Sequence, residues 1–68
     1  MRAMDALNLA EHLLKNLRER RSRMSEAILD GSITSIEEYR FVIGQIRGMA
    51  YAEDEIKTAM KGMELEDD

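Results

Sequence analysis

The chain has 68 residues, 10 Lys+Arg against 14 Asp+Glu, a formal net charge of −4, one His and no Cys, Pro or Trp. That length allows one small domain, which is marginal in stability unless it is stapled or associates. The lack of cysteine excludes disulfides, Cys-based zinc sites and thiol nucleophiles. There is no run of about 18 apolar residues and no apolar core of a signal peptide near Met1, so the expectation is a soluble chain, neither secreted nor membrane-bound. The acidic balance argues against nucleic acid as a general partner, because phosphate binding needs a cationic surface. With 44% hydrophobic and 35% charged residues, the composition is that of an ordered protein.

The first predicted element is a helix over about residues 2–30. Ala3, Leu7, Ala10, Leu14, Leu17, Arg21, Met24 and Ile28 recur at alternating spacings of four and three, which aligns them on one stripe. Leu13 and Ala27 widen that stripe, and good helix formers dominate the segment. Gly31 ends the pattern, since glycine accepts the left-handed conformation that closes many helices. A turn over residues 31–35 follows. Ser35 with Glu38, or Thr34 with Glu37 one residue earlier, fits a capping box for a second helix. Glu37 and Glu38 also suit the positive end of the helix dipole.

The second helix is predicted from about residue 36 to 63, with an acidic, frayed tail over 64–68. Tyr39, Val42, Ile46, Met49, Ile56, Met60 and Met63 share a face, with Ile43 and Ala50 at its edge. A short break between two helices of similar length makes them antiparallel neighbours. The expected fold is therefore all-α, a single-domain antiparallel two-helix hairpin. Two helices cover only one flank of each stripe, so self-association or a larger partner is expected to complete the core.

Gly44 and Gly48 lie one turn apart in the second helix, with Ala52 a turn further and Phe41, Tyr51 and Ala59 nearby. Helical bookkeeping places Phe41, Gly44, Gly48, Tyr51 and Ala52 opposite the apolar face. Each mid-helix glycine costs about 1 kcal/mol against alanine, so this group reads as a groove for close approach or as a tolerated irregularity.

Arg21 interrupts the first stripe and Glu53 the second. A charge in such a place needs a partner, and its best-attested use is to set register or oligomeric state. If Asp30 is level with Ile36, the two lie about 12 Å apart along the axis. That separation predicts pairing between subunits, with Gln45 or Tyr39 as other partners for Arg21, or an exposed Arg21 whose stem covers apolar surface. Lys15 to Arg23 holds five bases against Glu19 alone, a net +4. Arg18, Arg20 and Arg23 with Arg21 form a candidate basic patch. Glu53 to Asp68 holds seven acids against Lys57 and Lys61, a net −5. Such asymmetry could steer docking, although solvated faces with local pairs such as Glu53 with Lys57 explain most of it.

The pattern gives no catalytic, cofactor or metal residues to name. His12 falls off the apolar stripe and reads as a surface residue; Leu9 stands where a bundle metal site would place Glu, and a second His is lacking. Adjacent acids such as Glu37 and Glu38 point about 100° apart and suit no joint acid–base work. Gly44 to Gly48 lacks the length and the Lys-Ser/Thr of a phosphate loop. One Phe and two Tyr offer little for base stacking, so a nucleic-acid-contacting hairpin dimer ranks third among the readings.

The run Ser35-Ile-Glu-Glu-Tyr-Arg-Phe-Val-Ile-Gly-Gln-Ile-Arg-Gly-Met-Ala-Tyr-Ala-Glu resembles a pattern in short proteins encoded by tailed bacteriophages. In these, a helix opening with Glu-Glu-Tyr carries Gly-x-Ile-x-Gly, then an aliphatic and a small residue. Tyr39, Gly44 and Gly48 are the matching positions. The earlier Leu-Ala-Glu-His-Leu-Leu-Lys-Asn-Leu-Arg stretch and the Asp30-Gly31 break are similar too. The resemblance implies a non-enzymatic phage product in the virion or the host-cell cytoplasm. It would be either a small virion component or a regulator that blocks a host protein. The expected partners are a second copy of the chain, a larger phage or host protein, or both.

Overall fold

The computed structural model describes the backbone of residues 3–66 and the side chains of residues 5–64. It is an all-α hairpin of two helices, α1 (Ala3–Leu29) and α2 (Ile36–Glu66). At 1.5 Å per residue they are about 40 and 46 Å long. The longest dimension of the molecule is only 50 Å, so the helices lie side by side and antiparallel.

Local chemistry makes the turn. The last α1 bond runs from Asp30 N to Glu26 O at 2.9 Å, and Gly31 then takes φ +80°. A side chain is strained in that left-handed region, and glycine is not. Asp30 leaves the helix and accepts from Ser32 N at 2.9 Å and from the Ser32 hydroxyl. These two donors, the hydroxyl first, hold the Asp30 carboxyl below its ordinary value. At the start of α2 the two capping candidates separate: Ser35 Oγ accepts from Glu38 N at 3.1 Å, so Ser35 is the N-cap.

The far end differs from the sequence expectation. α2 continues through Glu66 instead of stopping near Met63. Met60 and Met63 are half-buried, and Glu and Leu are good helix formers, which outweighs the poor placing of acids at a helix C-terminus. Residues 67 and 68 of the expected tail lie outside the described residues, as do the side chains of Ala3 and Leu65.

The inner seam follows the predicted stripes. Ala10 and Leu14 are its buried apolar residues, with Leu7, Leu17, Arg21, Met24 and Ile28 half-buried beside them. From α2 come Val42, Ile46, Met49, Ile56, Met60 and Met63, all half-buried. Tyr39, expected on this face, is exposed instead, because it lies at the edge of the stripe near the turn. Among the described residues, no large side chain is fully enclosed.

Candidate interaction surface

The most enclosed polar group is the Glu53 carboxylate, with Glu53 only 3% exposed. Arg21 meets it directly: Nε lies 2.7 Å from Oε2, and Nη2 donates to Oε1 at 3.1 Å. Only the second contact has hydrogen-bond alignment, since Nε and Oε2 are otherwise without a partner. Arg18 Nε stands 3.7 Å from Oε1 on the same carboxylate. The expectation that Arg21 and Glu53 pair between subunits is therefore corrected: they pair within one hairpin. The local Glu53–Lys57 pair is likewise replaced by this cross-helix cluster.

The physical reason is side-chain direction. Helical side chains lean toward the N-terminus of their own helix. In an antiparallel pair, Arg21 leans away from the turn and Glu53 leans toward it. The two long side chains thus reach toward each other along the axis and meet although their Cα atoms stand at different heights.

This cluster also divides the expected basic patch. Arg18 and Arg21 turn onto Glu53, beside Ser22 and Ser25 on one flank, where Ser25 Oγ donates to Arg21 O at 3.1 Å. Arg20 and Arg23 face the other flank, along a shallow depression with Leu13, Asn16, Leu17 and Glu19. His12 is exposed, with Asn16 Nδ2 3.2 Å from its Nε2. Among the described residues, no group of three or more His, Cys, Asp or Glu is placed to hold a metal ion.

Phe41, Gly44, Gly48 and Tyr51 all lie on the solvent side of α2, with Phe41 65% and Tyr51 71% exposed; Ala52 is half-buried. A Cβ added at Gly44 or Gly48 would meet nothing within 4 Å. Among the described residues, none uses the close approach these glycines permit.

One flank of the hairpin is apolar along much of its length. Leu17, Arg20 and Met24 of α1 line a groove with Gln45, Gly48, Met49 and Ala52 of α2. Leu9 and Leu13 extend it toward the open end, 48% and 46% exposed. Sequence reasoning missed Leu9. Its signal was the spacing Leu9, Leu13, Leu17, a second row at i, i+4 beside the main stripe. The opposite flank at the same height carries Arg18, Arg21, Ser22 and Ser25. No described helix is long and apolar enough to cross a membrane. Compared with known proteins, the chain matches no family model, no curated protein and no solved structure.

Proposed function

We propose that the chain is a non-enzymatic protein–protein interaction module, acting as a small component of a phage particle or of its assembly. One observation carries the interaction role: the hairpin fully encloses no large side chain among the described residues, yet leaves a leucine row and the rings of Tyr39, Phe41 and Tyr51 exposed. Apolar surface of this kind is stabilised when another protein covers it. The phage setting rests on the Glu-Glu-Tyr and Gly-x-Ile-x-Gly resemblance. Its place is then the virion, or the host-cell cytoplasm while particles assemble.

Detection of the chain in gradient-purified particles of the phage that carries its gene tests this reading. Co-migration with particles at a constant copy number is the expected result. Recovery only in the host soluble fraction, bound to one host protein, overturns the virion role in favour of an inhibitor. Retention on RNA that falls steeply with salt overturns it in favour of a nucleic-acid contact.

A further inference from the structure

We infer that the apolar flank is a self-association surface whose occupant is a second copy of this chain. The two hairpins lie face to face with their turns at the same end, forming a four-helix bundle. This rests on the interaction role proposed above and names its partner.

Area is the first argument. The chain exposes 5372 Å², whereas a compact monomer of 7.8 kDa exposes about 4,400 Å². The surplus of about 1,000 Å² is close to the roughly 800 Å² that each partner contributes to a standard interface.

Shape is the second argument, and it is specific to this flank. The groove sets Leu17 and Met24 of α1 beside Gln45, Gly48, Met49 and Ala52 of α2. An antiparallel register with Leu17 level with Ala52 puts Met24 level with Gln45. Its α1 side is a ridge of Leu9, Leu13, Leu17 and Met24. Its α2 side is a trough whose floor is Gly48 and Ala52, with Ala59 further on in the same line. A two-fold axis parallel to the helices lays α1 of each copy over α2 of the other at equal heights. Leu17 then meets the second copy's Ala52, Met24 comes level with its Gln45, and Leu9 and Leu13 flank its Ala59. Large faces small at Leu17 and around Ala59, and symmetry makes every such contact twice.

Charge is the third. Arg20 borders the groove, and Glu55 lies one turn past Tyr51 on the outer edge of the same side of α2. Neither makes an ion pair among the described residues of the hairpin. Arg20 and the second copy's Glu55 stand in nearly the offset of Arg21 and Glu53, and the same opposed lean brings them together at the rim.

The test is sedimentation of the full chain across the micromolar range, with helicity measured on the same samples. The wild type should be a discrete helical dimer. Gly48→Leu fills the trough and should weaken association at least about tenfold without loss of helicity. Arg20→Glu and Glu55→Arg should each weaken it roughly tenfold, and their combination should restore it. A spin label at Ser32→Cys, in a chain with no other cysteine, should report a short distance between copies rather than one near the 50 Å length of the hairpin. A monomer at all concentrations, a dimer indifferent to these changes, or a long label distance overturns the inference. A monomer that still travels with particles overturns the second copy alone and leaves the interaction role standing.

Discussion

Arg21 and Glu53 show how costly a polar group is when it stands inside so thin a seam. The carboxylate is enclosed while both guanidinium groups keep partial contact with water. Arg21→Ala should therefore destabilise the hairpin by about 2 kcal/mol, less than the roughly 3–5 kcal/mol of fully enclosed pairs. Arg21→Leu with Glu53→Leu should be neutral or stabilising, because both unmet charges vanish together. Urea unfolding at one fixed protein concentration measures both, and equal losses in the two variants would refute the account. Asp30 makes a separate prediction in pH. Its folded carboxyl is held below the ordinary value of 3.8 by the Ser32 donors. Its contribution is thus present above that value and lost as pH falls through the lowered one. Asp30→Asn should reduce the thermal midpoint at pH 7, and the gap to wild type should close as pH falls through the lowered value.

At the scale of elements, each helix is made by its own sequence and only loosely by its partner. Gly44 and Gly62 face open space, so Gly44→Ala and Gly62→Ala should each raise helix stability by up to about 1 kcal/mol. Gly31→Ala should lower it by a similar amount, since φ +80° strains any side chain. Thermal unfolding followed by circular dichroism would register the opposite signs. The same locality explains what the chain disclosed before its structure was known. The Gly31 stop and the Ser35 cap depend on neighbours two or three residues away, and both stand where the spacing puts them. The Arg21–Glu53 pair depends on the relative height of two helices and on side-chain lean, which a wheel diagram at Cα level omits. The end of α2 runs past the expected stop near Met63 for a related reason: Met60 and Met63 are half-buried, and burial of that kind is not visible in the local propensity of the last turn. The flank groove was only half legible, because Gly48 and Ala52 stood out but Leu9 did not.

The whole molecule is a rod, with a radius of gyration of 15.4 Å against about 11 Å for a compact chain of this length. Its irregular stretch, Asp30 to Ser35, carries a consequence for how it opens. Between Met24 and Tyr39 there is no Lys or Arg, so every trypsin site from Lys15 onward lies inside a helix. Thermolysin, by contrast, has Ile33 in the turn itself. A protease needs about ten residues of extended chain, so trypsin can cut these sites only after a helix has unwound, whereas thermolysin needs no more than local fraying. Native cleavage by thermolysin should therefore outpace that by trypsin. Trypsin cutting within the Lys15 to Arg23 run, in the interior of α1, then becomes a clock for the opening of that helix, readable on a gel without any label.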